Sequence, residues 1–388
     1  MDTIFPPDGY HAVYQRTKRV YDLYAGGDSD RIREVDDQVG HSDPPRFLRE
    51  ARQWMQRWLK GDPAPLPEET TTSVKEKPED LACLLQLPAD AINYRIADQF
   101  AAPVSLKEPA SRVAWARRRA ELLAQLKVRV FRWFPTERIP FETRALRGGG
   151  GYMPKYVDYR EVSFQSEDGV RIRAQLLAPK RRVSEAPLLI YVKRPGDSIY
   201  AMDMDELLPL LGRYTVLILN PRFTEQSLSA AEYTDVERTA AWVGRTIGAL
   251  QVWDVLRAVH WAADEEKLSA SSISVYGKGE MGVLALYAGL FDERIKQVIL
   301  NDPPASHRQG PALLNVLRVT DIPEVAGAFA PRRLVSLMKL PEPFHQPQRI
   351  YRREGASARF VQAGSLPEAL EVWNQRSDQP TLDPARKP

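Results

Sequence analysis

Six consecutive residues, Gly277-Lys278-Gly279-Glu280-Met281-Gly282, have the types and spacing of a turn built for chemistry. Read literally they are G-x-G-x-x-G, whose glycines let backbone amides approach a pyrophosphate. Asp302 lies downstream as the ribose-binding acid of a dinucleotide site. The same residues fit a G-x-S-x-G elbow, where a nucleophile stands on a strained strand-to-helix turn and small neighbours relieve crowding. On that reading Gly277 is the first small residue and Gly282 packs helix on strand, while Gly279 occupies the nucleophile's place without a hydroxyl. The turn by itself leaves both readings open.

Other side chains offer substitutes. Lys278 is an amine nucleophile if desolvated and a surface lysine otherwise. Ser306 and His307 follow Pro303-Pro304-Ala305 beyond a strand, where ligands bind in α/β folds. Neighbours in sequence rarely aim at one target, which counts against a Ser306/His307 dyad. His260 and His345 are further imidazoles without a motif around them.

The elements that must position the turn are legible on both sides. Ile273 to Tyr276 is an apolar strand, Val283, Leu284, Leu286, Tyr287 and Leu290 recur at helical spacing, and Val298 to Leu300 is a second strand. That βαβ unit implies a parallel sheet in an α/β domain. Upstream lie a hairpin (Val162 to Phe164, a turn at Glu167-Asp168-Gly169, then Val170 to Leu177), strands at Leu188–Val192 and Val216–Leu219, and a helix over Trp242–Ala262. A dinucleotide domain usually places its glycine turn after the first strand, and here several strands precede it.

The N-terminal region reads as helix Tyr10–Tyr24, a short strand Ile32–Val35, a Gly40-His41 loop and an amphipathic helix Pro45–Leu59. Residues 61–80 are Pro-, Thr- and charge-rich, a linker with little to bury. Helical spacing returns between Pro78 and Pro135, and the Arg117-Arg118-Arg119 run within it is expected to be a solvated face. The four glycines Gly148 to Gly151 lack the Lys-Ser/Thr of a phosphate loop and read as a connector.

With 388 residues and 43% hydrophobic content, the chain is long enough for one large core or two smaller ones. A net charge of +3 gives no reason to invoke nucleic acid, and no apolar run reaches the length of a membrane span. Cys83 is the only cysteine, which excludes an intrachain disulfide and a cysteine metal cluster. MDTIFPPDGY has neither the basic nor the apolar region of a secretory signal, and the compartment stays open.

Two sets of residues carry a resemblance. The first is Asp2-Thr3-Ile4-Phe5-Pro6, Gly40-His41 and Trp54-Met55-Gln56-Arg57-Trp58-Leu59-Lys60-Gly61. The second is Asp168-Gly169, Asn220-Pro221-Arg222, Gly244-Arg245-Thr246 with Trp253-Asp254, the elbow, and Asp292-Glu293-Arg294-Ile295. Both resemble acetyl xylan esterase-like α/β-hydrolases, the first set matching only the tail of such a domain. The resemblance implies a mostly parallel sheet with flanking helices, no cofactor, and a serine acyl-enzyme route on acylated carbohydrate. It implies residues 1–60 as the C-terminal piece of one hydrolase domain, with Asp2 as triad acid and His41 as triad base. The matching serine would then belong to an upstream domain, a partner of this one. Residues 61–150 become linker and helical connector, 151–376 a degenerate hydrolase domain, and 377–388 a disordered tail.

Departures from the pattern accompany the match. The oxyanion-binding His-Gly turn is replaced by Lys193-Arg194-Pro195-Gly196, and Pro195 has no N–H to donate. The C-terminal stretch from Leu340 through Trp373 parallels Asp2 through Trp54. It places Leu340 or Pro341 opposite the acid and a gap or Gly364 opposite the base. Nucleophile, acid and base would all be missing from the second domain.

Overall fold

The computed structural model describes residues 5–37, 39–66, 75–84, 86–100, 103–105, 109–137, 139–146, 153–180, 186–197, 206–225, 228–268 and 273–376. Two compact units divide the chain, Met1–Ala89 and Asp90–Pro388.

Among its described residues the first unit holds two helices, Pro7–Ala25 and Pro45–Lys60. Each has a proline in its first turn, where the missing N–H is no loss, and each ends on a left-handed glycine, Gly26 and Gly61, both at φ 70°. The expected strand at Ile32–Val35 is extended backbone without a ladder, because no described segment of this unit pairs with it. Side chains tie it down instead. His11 Nδ1 meets Glu34 at 2.6 Å and the Tyr10 hydroxyl donates to Asp36 at 2.6 Å. Trp54 and Trp58 pack ring to ring at 5.8 Å, with the guanidiniums of Arg31 and Arg57 over Trp58. Leu23, Tyr24 and Leu59 remain exposed.

The second unit is built on a nine-stranded sheet among the described residues: β1 Arg144–Ala145, β2 Val157–Glu167, β3 Val170–Pro179, β4 Leu188–Val192, β5 Thr215–Asn220, β6 Ile273–Lys278, β7 Ile295–Asn301, β8 Arg333–Ser336 and β9 Phe360–Gln362. Their order is β1-β2-β3-β5-β4-β6-β7-β8-β9. The first four in space run antiparallel, and β5, β4, β6, β7, β8 and β9 run parallel. This is the expected mostly parallel sheet with helices on both faces. Strands β4 and β5 are buried at every position, which is why they read as continuous apolar runs rather than as alternations.

One face is covered by helices Ile247–His260, Glu280–Phe291 and Ile322–Ala328, and on it Phe164 stacks on Trp261 with centroids 4.9 Å apart. The other face buries Leu189, Tyr191, Ile218 and Tyr276 beneath Leu210, Leu366 and Leu370. The helix Arg112–Gln125, continued by a π-turn through Val130, buries Trp115, Leu122 and Leu126 in the first of these cores.

Its arginine run is not the solvated face expected from sequence. Arg118 grips the buried Glu324 with two bonds of 2.7 Å and Arg119 donates to the Ala328 carbonyl at 2.7 Å. The helix packs on both sides, so only Arg117 is left toward water. The expected helix Trp242–Ala262 starts later, at Ile247, where Thr246 accepts from the Ala249 amide. Trp242 instead ends a separate helix, Ala230–Trp242, that starts at a Ser229/Glu232 capping box.

Candidate active site at the strand-to-helix crest

Strand β6 lies at the middle of the parallel region, and its last residues pair Gly277 with Val192 of β4 and with Leu300 of β7. The helix Glu280–Phe291 begins two residues beyond Lys278, so the chain reverses within Gly279. That residue has φ 57° and ψ −129°, backbone that side-chain-bearing residues rarely adopt. Its amide donates to the Asn301 carbonyl at 2.8 Å, holding the crest against the end of β7.

The three glycines do different things. A Cβ on Gly277 would stand 2.5 Å from the Gly282 amide nitrogen, and one on Gly282 would stand 2.9 Å from the Gly277 carbonyl oxygen. These two are small because strand and helix touch there. A Cβ on Gly279 meets nothing within 4 Å. Position 279 thus has the open, strained crest that a nucleophile elbow needs, and no side chain on it.

The crest opens on a cleft of about 860 Å³ whose walls include Glu280, Asp302, Lys339, Leu340 and His345. Past Ala305, Gln309, Glu342 and His345 it continues into a hollow of about 710 Å³ bordered by Ser306 and Asp321. Burial, and after it the nearby Glu237 carboxylate, push the Glu280 carboxyl above its ordinary range. Leu340 follows β8 and Gly364 follows β9, both after the crest in chain order. Neither has a group that titrates.

Lys278 points away from amine chemistry. Its Nζ lies 3.2 Å from a Glu206 carboxylate oxygen and 5.7 Å from the centre of the Tyr191 ring, an arrangement that holds an ammonium. The Tyr276 hydroxyl donates to the same carboxylate at 3.2 Å and accepts from Asn301 Nδ2 at 3.1 Å. Sequence reading missed Glu206 and Tyr276: one sits outside any periodic element and the other reads simply as a buried strand residue.

Ser306 and His307 do not meet each other. Ser306 Oγ donates to Asp321 at 2.6 Å. His307, only 8% exposed, uses both ring nitrogens: Nδ1 lies 2.8 Å from the Pro311 carbonyl oxygen and Nε2 lies 2.7 Å from the Tyr287 hydroxyl. A carbonyl can only accept, so Nδ1 carries the proton and Nε2 accepts from Tyr287. Burial holds this imidazole below its ordinary range, with the Pro311 bond and Asp321 opposing. His260 is likewise engaged, 3.1 Å from Asp292.

At the turn after β4, Arg194 Nε donates to Asp197 at 2.7 Å and the Tyr191 hydroxyl donates to the other oxygen at 3.0 Å. The Lys193 amide is spent on the Leu219 carbonyl at 3.0 Å. In the first unit His41 is exposed and stacks on Phe5 with centroids 5.6 Å apart. Asp2, the glycines 148–151 and the tail 377–388 lie outside the described residues. Among the described residues no cluster of His, Cys, Asp or Glu is arranged to hold a metal ion, and no helix is long and apolar enough to cross a membrane.

Solved structures share this architecture. A Bacteroides fragilis protein provisionally named an acetyl xylan esterase is 13% identical, aligned over 70% of this chain and 81% of its own, with a TM-score of 0.59. A methylesterase is 13% identical over 68% of this chain and 64% of its own, with a TM-score of 0.51. No family model and no curated protein matches the sequence. At these identities the likeness is one of fold, and the fold is that of the α/β-hydrolases.

Proposed function

We propose that the second unit is an esterase-type α/β-hydrolase domain that no longer cleaves its ligand, and binds in the cleft beside Gly279 instead. The observation that carries this reading is the crest: strained backbone, open space for a side chain, and a hydrogen atom where the nucleophile belongs. Ester cleavage by this route needs a hydroxyl to attack the carbonyl, an imidazole to take its proton and amides to hold the oxyanion. Gly279 offers no hydroxyl, His307 is enclosed by its own bonds, and the turn after β4 contains Pro195. Acylated carbohydrate is the ligand class that the resemblance to esterases suggests. Residues 1–60 are then the closing piece of another such domain, with Asp2 and His41 as its acid and base.

The alternative of a dinucleotide-binding turn has less support. The crest amide of Gly279 is already bonded to Asn301, and the first helical residue, Glu280, brings a carboxylate to the place a pyrophosphate would take. Assay of the purified chain with p-nitrophenyl acetate tests the proposal. Release of nitrophenol at the rate of buffer alone is expected. Turnover abolished by Ser306→Ala or His307→Ala would overturn it.

A further inference from the structure

Two strands along the same sheet edge from the crest lies a second hollow, of about 490 Å³, that the hydrolase reading does not use. Its floor is a row of directly paired residues across four strands. Arg144 of β1 pairs with Ser163 of β2, Ser163 with Arg173 of β3, and Arg173 with Asn220 of β5. Paired residues share a face, and Arg171 shares it too, two residues before Arg173. Three guanidiniums are thus gathered on one small patch of sheet.

Their carboxylate partners are loose, with Arg173 Nε 3.7 Å from Glu225 and Arg171 Nη1 3.8 Å from Glu142. Arg171 Nη2 is held in place by the Glu142 and Ser163 carbonyl oxygens at 2.6 and 2.9 Å. Burial, then the adjacent Arg144, hold the Arg171 guanidinium below its ordinary range. Beside them is Asn220, 8% exposed, whose side-chain oxygen has no hydrogen-bond partner. A buried acceptor left this way is unfavourable unless a hydrogen-bond donor completes it.

The wall is rigid. Arg222 is clamped by Asp254 and Glu167, with Nη2 to Asp254 Oδ1 at 2.6 Å and Nη1 to Glu167 at 2.8 Å. The turn after it holds Phe223 at φ 66°, a conformation strained for an aromatic residue and found preferentially at ligand sites.

We propose that this hollow binds a small molecule through an oxyanion, a carboxylate or a phosphate. Arg144, Arg171 and Arg173 supply the charge. The Asn220 side-chain oxygen, an acceptor, takes a hydrogen bond from a hydroxyl of the same molecule, the P–OH of a protonated phosphate or the hydroxyl of a hydroxy acid. Guanidiniums suit such groups because their N–H fork matches two oxygens at once. The inference is independent of whether the crest has lost its chemistry.

Calorimetric titration of the full chain with inorganic phosphate and, separately, with malate, a hydroxy acid, distinguishes the two sources. At least one of them is expected to bind with a dissociation constant below about 10 mM, weakening as salt is added. The double variant Arg144→Gln/Arg173→Gln changes exposed side chains and is expected to weaken binding at least about tenfold with an unchanged melting midpoint. Asn220→Leu is expected to leave the free protein as stable or more so, since an unpaired polar group is removed, while binding falls. Failure of both anions to bind, or binding that survives in the double variant, would overturn the assignment.

Discussion

The Gly279 amide donates to the Asn301 carbonyl at 2.8 Å, so the crest of the strand-to-helix turn is bonded to the end of the neighbouring strand. The bond sets the turn's backbone whatever side chain stands on it. Gly277 and Gly282 are constrained differently, by direct contact between strand and helix.

A pair of substitutions separates these roles. Gly279→Ser is expected to fold, with a loss of about 1–3 kcal/mol from backbone strain alone. Gly277→Ala forces a methyl onto the helix backbone and is expected to lose more than about 3 kcal/mol or fail to fold. Urea melts monitored by circular dichroism compare them. Equal losses at the two positions would contradict the assignment of 279 as the open crest.

His307 is a packing residue in this account. Tyr287→Phe leaves its buried Nε2 without a donor and is expected to lower stability by about 1–3 kcal/mol. The chemical-denaturation midpoint reads this out. A Tyr287→Phe protein as stable as the parent would show that the bond is absent.

Acid is expected to lower the protein's stability in two stages. His307 is held neutral, below its ordinary value, so the unfolded chain binds the extra proton and the associated stability falls as pH drops below about 6.5. Asp292 is also held below its ordinary value: burial opposes its charge, but bonds from His260 and Arg294 outweigh burial. Its contribution is complete above about pH 4 and is lost as pH falls below that. Melting midpoints from pH 8 to 3 for the parent, His307→Gln and Asp292→Asn should show each stage flattened in its own variant. A single stage unaffected by either change would be inconsistent with both assignments.

The Arg222 clamp makes a further test. Asp254 is fully buried and bonded to the Arg222 side chain and amide and to Ser166 Oγ at 2.5 Å. Asp254→Ala leaves a buried guanidinium short of its main partner and is expected to lose about 3–5 kcal/mol. Differential scanning calorimetry measures it. A loss below about 1 kcal/mol would mean the arginine finds water instead.

Strands β4 to β7 and the glycine turn were legible because an all-apolar run between turn residues leaves few alternatives to a buried parallel strand. The helix Ala230–Trp242 was not: only its Ser229/Glu232 capping box signalled it, and its apolar face is weak. The Ile32–Val35 segment was misread because its β-branched residues, Ile32 and Val35, report a tendency to extend and not the presence of a partner. At the site, the place of the glycine turn between β6 and its helix could be read from spacing. Three-dimensional facts decided the rest: the bonds enclosing His307, the Glu206 carboxylate beside Lys278, and the arginine row, which exists only through strand register. Sequence spacing carries no record of which strands become neighbours.

The central claim is that no activated hydroxyl stands over the cleft at Gly279. Intact-mass spectrometry after treatment with a fluorophosphonate, which labels activated serines covalently, addresses it directly. The parent chain is expected to remain unmodified. A stoichiometric adduct on any serine bordering the cleft, Ser306 above all, would contradict the account.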